Sequence, residues 1–297
     1  MLRIFTDTAA NIPPHLLEQY HITAMPLTNL LDGQPTELVG HDYYEAMRKG
    51  AEVKTSLVSP ALIRDTMESA LKDGDDVLYI AISGGISGTC WSAELMAEEL
   101  RGEYPDRMIR VLNTCGASLG EGLVVLEAAK MLEKGCTADE IIRQAEENCG
   151  RMRQFFMVDD LKYLRRGGRI SAAAQVAGSL LKIKPILQSD EEGHIIQHSK
   201  VRGQLKAMET LAGLYKEYAV APGRWASPMP TVRTGRCGCR PSCGMPVRPV
   251  RSCRCAMSRS PVAMWVPARW RCSSSARSGA KPGFSVPERL HPAQLLV

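Results

Sequence analysis

The sequence has no unbroken apolar run of the roughly 18 residues that a membrane-spanning helix needs. Its first residues, MLRIFTDTAANIPP, lack the basic start and apolar centre of a secretory signal, because an acid and several polar residues come early. These absences argue against a transmembrane segment and predict a cytoplasmic protein in a reducing setting. The 44% of hydrophobic and 23% of charged residues are typical of a globular protein.

Acidic residues are almost missing from the C-terminal part of the chain. Residues 222–297 contain one acid, Glu288, against 12 Arg and one Lys, and they also hold 11 of the 18 Pro and 6 of the 10 Cys. Residues 1–221 carry the other 24 basic and 31 acidic residues, a net charge of −7. The formal charge of +5 for the whole chain therefore describes neither part.

The first part alternates short apolar runs with helical patterns. Runs such as DVLYIAIS at 76–83 and IRVLN at 109–113 predict buried strands, and each is followed by a helical pattern. Thr137 with Glu140 three residues later predicts a capped helix start. This order predicts an α/β fold with a mainly parallel sheet in an N-terminal domain, residues 1–153.

A second α/β domain is predicted to begin at residues 154–221 and to be incomplete. FFMV at 155–158, IKPILQ at 183–188 and HIIQHSKV at 194–201 predict strands, and the segments 170–181 and 203–219 predict helices. The domain then lacks its remaining strands, because residues 222–297 show no sustained apolar periodicity and are predicted to have little order.

The strongest chemical signal is SGGISGT at 83–89, between a predicted strand and a predicted helix. Ligands of open α/β sheets bind at the carboxyl ends of strands, where helix N-termini present unpaired N–H groups. Glycines let the backbone approach a ligand, and Ser83, Ser87 and Thr89 add hydroxyl donors. The loop predicts a carboxylate or phosphate site, and an ordinary glycine-rich turn with serine caps is an equal alternative.

Other polar positions allow two interpretations each. Thr55 and Ser56 add hydroxyl groups to the same end of the sheet or only cap a helix, and Asp7 is a further helix-cap candidate. The arginines at 165, 166 and 169 bind phosphate or form a solvated turn.

Patterns for hydrolysis and for metal binding are absent. Ser87 lies in G-I-S-G rather than in a G-x-S-x-G elbow, and the cysteines of both parts lack C-x₂-C pairs. No catalytic residue, metal or cofactor is therefore predicted. Two alternatives stay open: a phosphate-transferring enzyme that uses SGGISGT, and nucleic-acid binding through the basic segment 222–297.

Several motifs in order resemble the DegV family over about residues 1–221. They are FTDTAANIPP, KTSLVSP, ISGGISGTCWSA, LNTCGASLGEG, DDLKYLRRGGRIS, LKIKPIL and KVRGQLKA. The resemblance implies a two-domain protein, itself not an enzyme, that binds one long-chain fatty acid between the domains. For some members it implies a further role as the lipid-presenting subunit of a bacterial fatty acid kinase.

The resemblance implies a set of residues at the fatty acid carboxylate. The ligand-binding positions are Thr55, Ser56, Ser83, Gly85, Ser87 and Gly88. Gly84 and Leu57 stand where polar residues are usual in the family, which predicts fewer contacts to the head group. An apolar tunnel would take the acyl chain, and each buried CH₂ stabilises the complex by about 0.8 kcal/mol.

The resemblance also implies a partner surface. Arg165 and Arg169 match the basic turn of the family, and Arg202 matches an arginine of the kinase-facing surface. The family's C-terminal signature contains a histidine that helps to bind the carboxylate, and the chain as written lacks this signature.

A shifted reading frame is our preferred interpretation of residues 222–297. Codons that encode 263–276, read two nucleotides on, permit H-V-G-P-G-T-V-A-L-F-F-L-G, which resembles the glycine-rich C-terminal signature of the family. The same shift from Pro222 permits the apolar strand G-V-T-H-A-D. We therefore expect the chain as written to fold poorly or to bind lipid weakly.

Overall fold

The computed structural model describes residues 1–38, 40–158, 161–170, 183–219 and 262–264. The helices are α1 (Pro14–Gln19), α2 (Gly40–Arg48), α3 (Pro60–Lys72), α4 (Thr89–Glu103), α5 (Leu119–Glu133), α6 (Ala138–Arg151), α7 (Lys162–Arg166) and α8 (Gln204–Tyr218). The strands are β1 (Leu2–Asp7), β2 (Thr23–Met25), β3 (Thr28–Leu31), β4 (Gln34–Pro35), β5 (Val53–Ser56), β6 (Asp76–Ala81), β7 (Ile109–Asn113), β8 (Arg153–Met157), β9 (Ile183–Ser189), β10 (Ile195–Arg202) and β11 (Val262–Met264).

The first sheet is parallel throughout, with the strand order β2-β1-β6-β7. Helices α3 and α4 cover one face and bury Ile63 and Leu100, and helices α5 and α6 cover the other and bury Val125 and Ile141. Strand β6 lies between both cores, which is why its sequence is apolar at almost every position. The predicted α/β fold with a parallel sheet is confirmed.

The second sheet begins at Arg153 and has the order β10-β9-β8-β11. Strands β9 and β10 form an antiparallel hairpin, β8 pairs antiparallel with β9, and β11 is parallel to β8. Helix α8 packs on this sheet through Leu211, against Phe155 and Ile186. Apart from β11, residues 222–297 lie outside the described residues, and so does nearly all of the helix predicted at 170–181.

A third, small sheet was not predicted from the sequence. Its antiparallel strands have the order β4-β3-β5, and residue pairs such as Thr28 with Ser56 set its register. The short helices α1 and α2 were missed as well. All of these elements have few buried residues, so their sequences carry little of the periodicity that predicts a strand or helix.

Local signals at helix ends were more informative. Thr137 Oγ1 accepts a hydrogen bond from the N–H of Glu140, and the Glu140 carboxylate accepts one from the N–H of Thr137, so the predicted capping box is confirmed. The basic segment at 164–169 is the end of α7 followed by Gly167 and Gly168, rather than a turn throughout. No helix within the described ranges is long and apolar enough to cross a membrane.

Candidate functional site

The segment Ser83–Thr89, called here the serine loop, connects β6 to α4 at the carboxyl edge of the parallel sheet. Asp7 and Asn113, the last residues of β1 and β7, lie at the same edge. The Asp7 carboxylate accepts hydrogen bonds from the N–H groups of Ala9 and Ile82, at 3.0 Å each. Asp7 therefore caps the single 3-10 turn Thr8–Ala10 and also fixes the residue before the serine loop.

The backbone of the serine loop is hydrogen bonded mostly within the protein. The N–H of Ser83 donates to Gly116 O at 2.7 Å, and that of Gly84 donates to Asn113 Oδ1 at 3.1 Å. The N–H groups of residues 85, 86, 87 and 89 donate to oxygens of Ser83 and Ser87. The expectation that this turn presents unpaired N–H groups to a ligand is therefore wrong for six of its seven residues, because four of these groups donate to serines of the loop and two donate to Asn113 and Gly116.

Ser83 is buried, and its hydroxyl group joins the two sheets. It donates to the carbonyl oxygen of Gly193 at 2.9 Å and accepts from the N–H of Gly85 at 3.1 Å. Gly193 lies in the turn of the β9–β10 hairpin, 110 residues further along the chain. In this structure the single proton of Ser83 is thus already used by a protein acceptor.

Gly85 is required at this contact for steric reasons. A Cβ atom at residue 85 would lie 2.6 Å from the carbonyl carbon of Gly193 and 2.7 Å from the backbone nitrogen of His194. Because both are backbone atoms, any larger residue would push the β9–β10 turn away from the serine loop.

No serine of the loop is hydrogen bonded to a histidine within the described residues, so the structure gives no sign of a catalytic triad there.

Ser87 and Thr89 form a second hydroxyl pair in the loop. Their side-chain oxygens are 3.0 Å apart, the N–H of Thr89 donates to Ser87 Oγ at 3.3 Å, and Thr89 is buried. Thr89 Oγ1 also accepts from the N–H of Val58 at 3.2 Å. This bond ties the serine loop to the segment that follows β5.

The predicted residues Thr55 and Ser56 are the last two of strand β5. They lie two to three residues before Val58, whose N–H donates to Thr89. Thr55 is half-buried and Ser56 is exposed. Neither hydroxyl group makes a hydrogen bond within the described residues. The Leu57 side chain lies close to Gly88: a Cβ atom added at residue 88 would be 3.1 Å from Leu57 Cδ2. The structure therefore brings Leu57 and Val58, which directly follow Thr55 and Ser56, next to Gly88 and Thr89.

The three predicted partner-surface arginines divide into two kinds. Arg165 and Arg202 are exposed, on α7 and at the end of β10. Arg169 is half-buried, and its Nε donates to the carbonyl oxygen of Ile86 at 3.1 Å. Arg169 therefore supports the serine loop, a contact that the sequence did not predict.

Glu121 is a buried residue that sequence reasoning missed. Its Oε1 accepts from Thr6 Oγ1 at 3.1 Å, whereas Oε2 has no donor within the described residues. Burial and the nearby Asp7 charge raise the pKa of Glu121 well above its ordinary value. Burial also raises the pKa of Asp7 to about 6, against the opposing effect of hydrogen bonds from Ile82 and Ala9. Both carboxyl groups therefore keep a proton to a higher pH than exposed carboxyl groups do.

A cavity of about 290 Å³ lies at the end of β1. Its lining includes Thr6, Asp7, Asn11, Ile12 and Leu17. None of the six predicted ligand-binding residues lines this cavity, so it is not the expected acyl tunnel. Within the described residues no three His, Cys, Asp or Glu side chains form a group that could hold a metal ion.

Comparisons with known proteins agree on one family. The family model described as "Uncharacterised protein, DegV family" matches residues 1–223. A DegV domain-containing protein of Clostridium perfringens is 37% identical over 214 residues, which are 70% of this chain and 74% of that protein.

Solved structures give the same result. The structure described as fatty acid binding of a DegV family protein from Thermus thermophilus has a TM-score of 0.66 and 32% identity, over 73% of this chain and 77% of that one. A stearic acid-binding protein from Eubacterium ventriosum has a TM-score of 0.67 and 26% identity, over 73% of this chain and 76% of that one.

Proposed function

This chain belongs to the DegV family, and we propose that it binds a long-chain fatty acid whose carboxylate lies against the hydroxyl groups of Thr55, Ser56 and Ser87. Relatives described as binding fatty acids, one of them stearic acid, support this ligand class. The observation that carries the proposal is the contact of Leu57 and Val58 with the serine loop, because these residues directly follow Thr55 and Ser56, whose hydroxyl groups have no partner within the described residues.

The hydrogen bonding of the loop favours a carboxylate over a transferred phosphate. Glycine-rich phosphate loops bind with several free backbone N–H groups, and here six of the seven donate within the protein. Hydroxyl groups hold a carboxylate as neutral donors and leave one of its oxygens accessible. The same arrangement argues against the phosphate-transferring alternative for SGGISGT.

The test is to load the delipidated full-length chain with stearic acid and to count bound molecules by native mass spectrometry. We expect one fatty acid per chain. Thr55→Val and Ser56→Ala should each weaken binding about tenfold, since each removes a hydrogen bond to a charged group. Thr23→Val, on the exposed part of β2, is the matched control and should bind as the unaltered chain does.

Ser83→Ala is a less selective variant, because it also removes the bond to Gly193. We expect it to weaken loading and to loosen the β9–β10 turn together. If neither the chain as written nor a version with the C-terminal frame restored carries an acyl ligand, the proposal is wrong.

We further propose that the protein presents the bound carboxylate to a fatty acid kinase catalytic subunit in the cytoplasm. The exposure of Arg165 and Arg202 supports a partner surface. Arg165→Glu and Arg202→Glu should leave stearic acid loading unchanged and should lower the phosphorylation of the loaded acid by such a subunit. Equal phosphorylation of both variants and the unaltered chain would argue against this surface.

The shifted frame of residues 222–297 is also a proposal. The family model ends at residue 223, close to the point where the net charge changes from −7 to +12. The reading frame can be determined directly by sequencing the gene.

A further inference from the structure

We propose that Thr89 fixes the direction in which Ser87 donates its hydroxyl proton, and that this makes the site selective for head groups that accept hydrogen bonds. The proposal rests on the proposed function and specifies how the same site discriminates among lipids. Thr89 would be a positioning residue, because it acts through Ser87 rather than by touching the ligand.

The argument begins with the partners of the Thr89 hydroxyl group. A hydroxyl group has one proton to donate and two lone pairs that accept. Thr89 Oγ1 accepts the N–H of Val58 at 3.2 Å and lies 3.0 Å from Ser87 Oγ. Thr89 and Val58 are both buried, so water does not supply a further partner.

Only one direction of the bond between the two hydroxyl groups satisfies the buried threonine. If Ser87 donated to Thr89, the Thr89 proton would have no acceptor within the described residues. A buried donor without an acceptor costs about 1–3 kcal/mol. Thr89 therefore donates to Ser87, and all of its hydrogen-bonding needs are met.

The consequence for Ser87 is a fixed polarity. Ser87 Oγ accepts from the Thr89 hydroxyl group and from the N–H of Thr89, at 3.0 and 3.3 Å, which uses both lone pairs. Its own proton has no acceptor within the described residues, and Ser87 is only half-buried. Ser87 can therefore donate to a ligand but has no lone pair left to accept from one.

This polarity distinguishes lipids with the same tail. A carboxylate only accepts hydrogen bonds, and bonds to a charged acceptor are about twice as strong as neutral ones. A fatty alcohol offers a neutral oxygen, and the proton it carries has no acceptor on Ser87. The site should therefore prefer a fatty acid to the alcohol of equal chain length.

The experiment measures binding of stearic acid and of octadecan-1-ol to the full chain, by displacement of a fluorescent fatty acid. The unaltered protein should prefer the acid. Ser87→Ala should reduce the ratio of the two affinities about tenfold, by loss of one charge-assisted bond. Thr89→Val should also reduce the ratio, because it frees a lone pair on Ser87 that can accept the proton of the alcohol. Thr89→Ser retains the hydroxyl group and should keep the ratio within about twofold of the unaltered protein.

Ser87→Ala leaves the Thr89–Val58 bond intact, so it tests the idea even if Thr89→Val folds poorly. An unchanged ratio in Ser87→Ala, or in a folded Thr89→Val that still binds stearic acid, overturns the inference and leaves the proposed function standing. Absence of stearic acid binding by the unaltered protein overturns both. Loss of the preference in Thr89→Ser as well would assign Thr89 a packing role instead.

Discussion

Asp7 and Glu121 are two carboxyl groups from which the fold excludes water. The pKa of Asp7 rises from 3.8 to about 6, and the pKa of Glu121 rises well above its ordinary value. The folded chain therefore holds protons that the unfolded chain releases. The contribution of the pair to the free energy of unfolding is largest at acidic pH, falls from about pH 4 through pH 6, and falls further as Glu121 ionises.

Glu121→Gln should reverse much of this loss. The amide is neutral at every pH, its oxygen can accept from Thr6, and its N–H₂ group can donate to the Asp7 carboxylate. We expect the free energy of unfolding at pH 7 to rise by about 1–3 kcal/mol and its fall between pH 4 and pH 7 to flatten. Urea titrations at a series of pH values measure both.

Glu98→Gln is the control for that substitution. The Glu98 side chain is 76% exposed and pairs with Arg101, so its removal should leave the pH profile unchanged. If Glu121→Gln lowers stability at pH 7, burial of the Glu121 carboxyl group is not what reduces stability as the pH rises.

At the level of elements, the β9–β10 hairpin packs closely against the serine loop. The tightest contact is at Gly85, where a Cβ atom would approach backbone atoms of the hairpin turn to within 2.6–2.8 Å. Backbone cannot change rotamer to relieve such a contact, so the two elements would have to separate.

Gly85→Ala should therefore lower the free energy of unfolding by about 1–3 kcal/mol. It should also increase hydrogen exchange in the hairpin turn, at residues 190–194, more than elsewhere. Gly150→Ala, in α6 where the added Cβ meets no atom within 4 Å, should leave stability unchanged or slightly higher. Equal stability of the Gly85→Ala and Gly150→Ala variants would contradict the close packing.

The elements that sequence could predict are those whose signals are local. Strand β6 is apolar because it is buried on both faces, and the Thr137–Glu140 cap is complete within four residues. The small β4-β3-β5 sheet depends on pairing with little burial, so its pattern is weak. The site was predicted in part: its hydroxyl residues are visible in the motifs, whereas the Ser83–Gly193 bond joins residues 110 positions apart. The burial that raises the pKa of Glu121 exists only in the folded chain, so the sequence alone does not show it.

At the scale of the whole molecule, the change of charge near residue 222 separates two kinds of sequence. The first part carries a net −7 and supplies ten of the eleven described strands, and the second carries +12 with 11 Pro and supplies the described strand β11. A basic, proline-rich segment is poorly suited to complete the second sheet of an acidic α/β protein.

The shifted-frame hypothesis predicts a specific gene sequence. We expect a nucleotide run near codons 220–223, with an open frame beyond it when the shift is undone. The frame-restored protein should melt more cooperatively and load more stearic acid than the chain as written. An independently repeated gene sequence with the frame as written, or stoichiometric lipid on the chain as written, would count against it.

The Ser83 hydroxyl group has one proton to donate. The Gly193 carbonyl oxygen accepts it in this structure, and a ligand carboxylate that reached Ser83 would compete for it. A ligand that accepts this hydrogen bond displaces Gly193 and so frees the β9–β10 turn. When the Ser83–Gly193 bond re-forms, the ligand loses its hydrogen bond from Ser83. By thermodynamic linkage the antagonism is equal in both directions. Formation of the Ser83–Gly193 bond and binding of a carboxylate to Ser83 would thus oppose each other.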